Sequence, residues 1–275
     1  MQRLHGLDAL PVDPERTVVT VGFFDGVHLG HRAVLGRTVE GARERGIPSV
    51  AVTFDRHPRE VLTPGKEPRL LTTVDRKAAL IEQMGLDSLL VLEFTEAFSR
   101  WPAERFVSDV LVGGLHASHC VMGANFTFGH RAAGTVEMLI ERGPALGFTA
   151  ERVELVEIDG RRVSSSSIRD ALAGGDLEWP RLALGRRFVL DGTVVSGAGR
   201  GQWLGFPTAN LRTGSRLLLP GRGIYAGRAQ AEGAGHVAAI SVGTNPTFGN
   251  EPLHVEAYLL DFDGEIGRAS CRERV

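Results

Sequence analysis

The chain has 275 residues, 43 % of them apolar and 23 % charged, with 31 lysines and arginines against 33 aspartates and glutamates. That length suits two domains of ordinary size, and the apolar share can fill a core in each. The charge balance provides no field to gather nucleic acid, and the apolar runs Asp87–Leu92 and Leu217–Leu219 are too short to cross a bilayer. No basic-then-apolar leader opens the chain, so the cytoplasm is the expected address. Cys120 and Cys271, the two cysteines, make neither a disulfide framework nor a metal-ligand spacing.

Taken in order, Arg16–Gly22 reads as a short apolar strand running into a glycine turn. His31–Arg45 has helical spacing, with Ala33, Val34, Val39 and Ala42 on the face expected to be buried. Strand Ser49–Phe54 follows, then helix Asp75–Met84 with Asp75 as the expected N-cap. Ser88–Phe94 is a strand, Ala103–Leu111 a helix and Ala117–Met122 a strand. Thr135–Leu146 is a helix interrupted at Gly143-Pro144, and Thr149–Ile158 closes the series. Strands alternating with helices predict a parallel sheet covered on both faces, with ligands beyond the carboxyl ends of its strands.

After Asp176 the pattern changes. Arg187–Val195, Ile224–Ala231, His236–Val242 and Leu253–Asp261 are rich in Val, Ile and Tyr and separated by glycine turns, which predicts a small antiparallel barrel. Ser167–Ala173 and Asp176–Leu184 read as short connecting helices. The expected domains are therefore 1–180 and 185–264, with the boundary near Trp179–Gly185. Residues 265–275 have no apolar period and back-translate in frame to a common short-read sequencing adapter, so Ile266–Val275 is expected to be a non-native tail.

Gly22-Phe23-Phe24-Asp25-Gly26-Val27-His28-Leu29-Gly30-His31 runs from strand through glycine turn to helix start. Unpaired N–H groups at a helix start point toward an anion and the helix dipole adds positive potential. Gly22, Gly26 and Gly30 allow close backbone approach to phosphate, and His28 and His31, three residues apart, can face the same side. The His-x-Gly-His spacing resembles the nucleotidyltransferase superfamily, where paired histidines stabilise the triphosphate as pyrophosphate leaves. Val163-Ser164-Ser165-Ser166-Ser167-Ile168-Arg169 resembles that superfamily's second phosphate motif, with Ser166 where threonine is usual.

Gly123-Ala124-Asn125-Phe126-Thr127-Phe128-Gly129 and Thr53-Phe54-Asp55-Arg56-His57-Pro58 resemble flavin-specific segments. Asn125 stands in a place often held by aspartate, and Arg56 replaces a proline. Phe54 and Phe128 read first as partners for an isoalloxazine ring, with ordinary core aromatics as the alternative.

Ser196-Gly197-Ala198-Gly199-Arg200-Gly201 and Leu204-Gly205-Phe206-Pro207-Thr208-Ala209-Asn210 resemble the riboflavin kinase signature. Gly223-Ile224-Tyr225-Ala226-Gly227, Ser241–Gly249 and Val255-Glu256-Ala257-Tyr258 match it in order. Thr208 hydroxyl and Asn210 amide are hard oxygen ligands suited to Mg²⁺. Together these segments resemble the prokaryotic bifunctional riboflavin kinase/FAD synthetase family. The resemblance implies a Rossmann-like nucleotidyltransferase domain followed by an antiparallel β-barrel of riboflavin-kinase type, incomplete here because the family continues with a strand and a long helix where this chain has the adapter-like tail.

The implied reactions are phosphorylation of riboflavin to FMN in the barrel, expected to be impaired here by the truncation, and adenylylation of FMN to FAD in the first domain, expected to be unaffected, with ATP as co-substrate and Mg²⁺ as cofactor. The implied catalytic residues are His28, His31, Arg169 and Glu256, the last as the base for the ribityl 5′-hydroxyl. ATP is expected on Gly22, Phe23, Asp25, Gly26, Gly30, Ser164, Ser165 and Ser166, and on Gly199, Arg200 and Gly201. Flavin is expected against Phe54, His57, Asn125, Phe128 and Tyr225, and metal on Thr208 and Asn210. Small molecules are the expected partners, without nucleic acid or membrane, and a homo-oligomer is neither required nor excluded. Two alternatives stand beside this reading: a nucleotidyltransferase for another phosphorylated acceptor, and a flavin-binding protein without catalysis.

Overall fold

The computed structural model describes residues 1–10, 16–196, 207–231, 234–244, 253–262 and 270–274. The chain forms two compact units, Met1–Pro68 with Val74–Val163, and Arg69–Thr73 with Ser164–Val275.

The first unit runs β1 (Gln2–His5), β2 (Thr17–Val21), α1 (Leu29–Arg45), β3 (Ser49–Phe54), α2 (Pro58–Leu62), α3 (Val74–Glu82), β4 (Ser88–Leu92), α4 (Glu96–Ser99) and α5 (Ala103–Arg105). It continues through β5 (Ala117–Gly123), β6 (Thr127–Phe128), β7 (Gly134–Thr135), α6 (Val136–Arg142), β8 (Thr149–Val153), β9 (Glu157–Ile158) and β10 (Arg161–Arg162). Six strands make one parallel sheet in the order β1-β4-β3-β2-β5-β8. Every residue of β2 and β3 is buried, as a parallel sheet with both faces covered requires. One face packs on Phe106, Val110, Leu111 and Leu139, the other on Leu35, Val39, Ala78 and Ile81. Strand order reverses between β2 and β5, and ligands of such sheets bind beyond the carboxyl ends at that switch point.

Several local readings change. The edge strand β1 has only four residues, too few for a period to show in the sequence. Helix α1 begins at Leu29, two residues earlier than expected, and Ala33 is half-buried rather than buried. Asp75 lies within the first turn of α3, not at its cap, where it still favours the helix dipole. Beyond Arg105 the expected α-helix widens into a π-helix, Phe106–Gly114, closed by Leu115 N–H donating to Val110 O at 2.9 Å.

The second unit holds α7 (Ser165–Ala173), α8 (Glu178–Leu184), β11 (Val189–Val195), β12 (Ala209–Thr213), β13 (Gly223–Ala231), β14 (Ala234–Gly243), β15 (His254–Leu259) and β16 (Ser270–Arg274). The sequence boundary near Trp179–Gly185 marks where helix gives way to strand, whereas the compact unit begins at Ser164. Helix α7 belongs with the barrel because Gly221 N–H donates to Leu172 O at 2.8 Å, and a Cβ on Gly221 would meet Ala173 O at 2.8 Å.

The barrel strands are antiparallel and close in the order β11-β12-β15-β14-β13-β16. The barrel was expected to lack its closing strand; instead the backbone of Ser270–Arg274 pairs with both β11 and β13. Two open edges present rows of N–H and C=O groups that pair with almost any extended segment, whatever its side chains, so composition gave no warning of this.

Candidate functional site

Gly22 ends β2, with its N–H donating to Val52 O at 3.0 Å. A Cβ on Gly22 would lie 2.8 Å from the Phe24 ring, so only glycine fits beneath that aromatic. The following turn is strained: Phe24, Gly26 and Val27 have φ of 53°, 81° and 41°. A β-branched residue in the left-handed region persists only where its surroundings hold it there. Phe24 and Val27 are buried against Leu35, Val39 and Ala78, which supply that hold.

His28 is the N-cap of α1, its Nδ1 accepting from the His31 N–H at 3.3 Å. A neutral imidazole that accepts at Nδ1 carries its proton on Nε2. The His28 and His31 rings are stacked, centroids 3.6 Å apart and 17° from parallel. Asp25 and His28 are 2 % and 5 % exposed, so the turn is built around buried polar groups. Gly30 leaves room for the first ring: a Cβ there would lie 3.2 Å from His28 Cε1.

His57 repeats this device on α2, its Nδ1 accepting from Arg59 N–H at 3.1 Å while its own N–H donates to Glu60 Oε1 at 2.8 Å. The His57 and Phe23 rings make a T-shaped contact, with centroids 4.8 Å apart. Asn125 follows β5 at the surface. Phe54 and Phe128 are 9 % and 8 % exposed; Phe54 packs on Phe94 and Phe98, Phe128 on Phe106 and Phe126. Both are aromatics of the core in this structure, while Phe23 and Phe126 are only partly buried.

Lys77 escaped the sequence reading. It is 3 % exposed on α3, and its Nζ donates to Phe23 O (3.0 Å), Thr53 Oγ1 (2.9 Å) and Phe54 O (3.2 Å). The same ammonium lies 4.3 Å from the centre of the Phe23 ring. Burial pushes it down from 10.5 to about 8, against the pull of Asp25 and Asp55. The available signal was its phase: Lys77, Ala78 and Ile81 share the buried stripe of α3.

Ser164 caps α7, with its Oγ accepting from Ser167 N–H and Ser167 Oγ accepting from Ser164 N–H, both at 3.1 Å. Ser165 and Ser166 stand in the first turn of that helix, and Arg169 Nε donates to Arg69 O at 2.7 Å. All of these lie in the second compact unit.

In the barrel, register gathers what the sequence separates. Asn210 on β12 pairs with Glu256 on β15, which also pairs with Ser241 on β14. Thr208 Oγ1 is 3.4 Å from Glu256 Oε2, and His254 Nε2 is 3.4 Å from Glu256 Oε1. Along β15, Val255, Ala257 and Leu259 are buried while His254, Glu256 and Tyr258 take the opposite face. Strand β12 was not expected, and it carries Asn210 into this cluster. Tyr225 on β13 donates its hydroxyl to Gly221 O. Gly199, Arg200 and Gly201, and Asn245–Gly249, lie outside the described residues.

The hydroxyl of Thr208 and the amide of Asn210, just before and within β12, are hard oxygen donors that fit Mg²⁺ bound mainly through phosphate oxygens and water, with the Glu256 carboxylate on the neighbouring strand. No group of three or more His, Cys, Asp or Glu side chains able to hold a metal occurs among the described residues.

The fold and these two clusters define an α/β nucleotidyltransferase domain joined to a flavokinase-type barrel. The family model described as FAD synthetase matches residues 10–167, and that of riboflavin kinase matches residues 184–273. A bifunctional riboflavin kinase/FMN adenylyltransferase of Pseudomonas fluorescens is 38 % identical across 97 % of this chain and 85 % of its own length. The Bacillus subtilis protein of the same description is 34 % identical over 98 % of this chain and 85 % of its own. The chain belongs to the family of bifunctional riboflavin kinase/FMN adenylyltransferases.

A crystal structure described as a macrolide-efflux protein from Streptococcus pneumoniae superposes with a TM-score of 0.89 at 27 % identity, covering all of this chain and 90 % of that one. Among the described residues no helix is long and apolar enough to cross a membrane.

Proposed function

We propose that this chain makes FAD in two ATP-dependent steps, converting riboflavin to FMN in the barrel and FMN to FAD in the parallel-sheet unit. The observation that carries the proposal is that each unit gathers a set of groups suited to its own step. In one these are the stacked His28–His31 pair at a helix start, in the other Asn210 and Glu256 on neighbouring strands with Thr208 just before the first of them.

In the adenylyl transfer a phosphate oxygen of FMN attacks the α-phosphorus of ATP. The bond from that phosphorus to the bridging oxygen breaks, and pyrophosphate leaves. No side-chain nucleophile is needed; the work is positioning and charge stabilisation. The α1 N–H groups, with Gly22, Phe23, Asp25, Gly26 and Gly30 shaping the turn, receive the triphosphate. His28 donates through Nε2, and His31 assists it. Ser164, Ser165, Ser166 and Arg169 are assigned to phosphate from the family motif, supported by their place at a capped helix start. His57 and Asn125 are assigned to flavin. Phe54 and Phe128 are assigned to shaping the flavin pocket from behind, in keeping with their burial.

In the kinase step Glu256 takes the proton of the ribityl 5′-hydroxyl as that oxygen attacks the γ-phosphorus, and ADP leaves. Thr208 and Asn210 would hold Mg²⁺, which supplies charge neutralisation at the phosphates. Gly199, Arg200 and Gly201 are assigned to ATP, and Tyr225 to the flavin side of the barrel. The functional boundary is assigned to 180–185, close to residue 184, where the riboflavin kinase match begins. The expected address is the cytoplasm.

The test is a paired assay with Mg²⁺ and ATP, one tube given riboflavin and the other FMN, with flavins followed by chromatography. FMN and FAD from riboflavin, and FAD with pyrophosphate from FMN, are the expected products. A folded protein inactive in both tubes would overturn the proposal in favour of another acceptor or a binding role.

A further inference from the structure

A buried lysine is rare unless it is paired, and Lys77 is not placed by any chemistry assigned above. Its ammonium has three protons, and three oxygens receive them within 3.2 Å. Two of these are main-chain carbonyls at the carboxyl ends of adjacent strands, Phe23 just beyond β2 and Phe54 at the end of β3; the third is the hydroxyl of Thr53. Thr53 Oγ1 in turn donates to Phe23 O at 3.1 Å, so one carbonyl is held from two sides. The Phe23 ring lies over the ammonium and also makes a T-shaped contact with the His57 ring. One cation thus ties the strand ends from which both the strained phosphate turn and the flavin segment depart.

We propose that Lys77 is a positioning residue for adenylyl transfer: its ammonium clamps the ends of β2 and β3 so that the Phe24–Val27 turn presents the α1 start, Asp25 and His28 in the geometry the triphosphate needs. This rests on the adenylyl-transfer reading given above. The physical basis is that Phe24 and Val27 occupy costly backbone conformations, and a strained turn keeps one shape only while its anchors are fixed. A residue at position 77 without a donor removes the lysine's bond from the Phe54 carbonyl and leaves the Phe23 carbonyl with only the Thr53 hydroxyl of its two holds. The turn then relaxes, and misplacement by an ångström is enough to lower a positioning-dependent rate.

The experiment compares the full chain with Lys77→Met and Lys77→Gln, measuring both reactions in each protein. Methionine fills the volume with no donor, whereas glutamine keeps two donors and no charge. For Lys77→Met we expect the KM for ATP in FAD formation to rise ~10-fold or more while riboflavin phosphorylation by the same molecules stays at the wild-type rate. Lys77→Gln is expected to recover part of the ATP affinity, because it restores part of the clamp. A merely structural lysine would lower melting temperature and active fraction without moving the KM for ATP. An unchanged KM for ATP in Lys77→Met therefore overturns the inference, as does failure of glutamine to do better than methionine. Absence of FAD formation by the wild-type chain would instead overturn the adenylyl-transfer reading itself, so the two failures are distinguishable.

Discussion

The two units hold their chemical groups by opposite means. In the parallel-sheet unit the candidate site is made where strands end and helices begin. Its histidines at 28 and 57 serve as helix caps through Nδ1, and its shape depends on a turn kept in unfavourable backbone conformations. In the barrel the candidate groups are side chains of paired strands, aligned by register and needing no backbone strain. The first arrangement is compact in sequence but sensitive to what lies beneath it. The second is dispersed in sequence and depends on the ladder as a whole.

Substitution separates the two. Glu256→Gln keeps shape and removes the proposed base, so riboflavin phosphorylation should fall roughly 10³-fold with FAD formation from FMN unaffected. Equal loss in both assays would mean that the units do not act separately.

Lys77 offers a stability measurement of similar size. Its folded value, about 8, lies below the ordinary 10.5. Between those values the unfolded chain binds the extra proton, so this group makes stability rise with pH. Compared with Lys77→Met in denaturant titrations, the wild-type chain should gain up to about 3 kcal/mol between pH 7.5 and 10.5. A flat difference across that window would show that Lys77 is not buried as charged.

His31→Gln should lower FAD formation about 10²-fold and leave the kinase step alone, since its ring stacks on His28 but its side chain does not cap the helix. The smallest effect is also the most diagnostic. Gly30→Ala adds a good helix former to α1, worth about 1 kcal/mol of helix propensity, yet pushes a methyl to within 3.2 Å of the His28 ring. FAD formation should fall ~10-fold while the melting temperature holds or rises. Activity and stability falling together would argue that strain in the turn, rather than the ring position, is what matters.

Much of this was legible beforehand, and the legible part has a common character. The Gly22–His31 turn could be read because a strand, a turn and a helix start follow one another within ten positions, and the first two leave a local mark: apolar β-branched residues, then glycines. The capping role of His28 was not read, because histidine is an unusual N-cap and His28 Nδ1 serves as well as a serine oxygen. Phe54 and Phe128 read first as ring partners and lie in the core, since an aromatic residue carries the same signal in either place.

From the sequence alone came the two-domain class, the alternation that makes a parallel sheet, the barrel's strand-rich half and the residue types at both candidate sites. These follow from periodicity and from chemistry confined to neighbouring residues. Only the tertiary structure decided that Lys77 lies under the phosphate turn, that β12 exists and sets Asn210 beside Glu256, and that Ser270–Arg274 completes the ring of strands. Those outcomes depend on burial and pairing between segments far apart in the chain, where the free energy belongs to the contact and no single segment carries its mark.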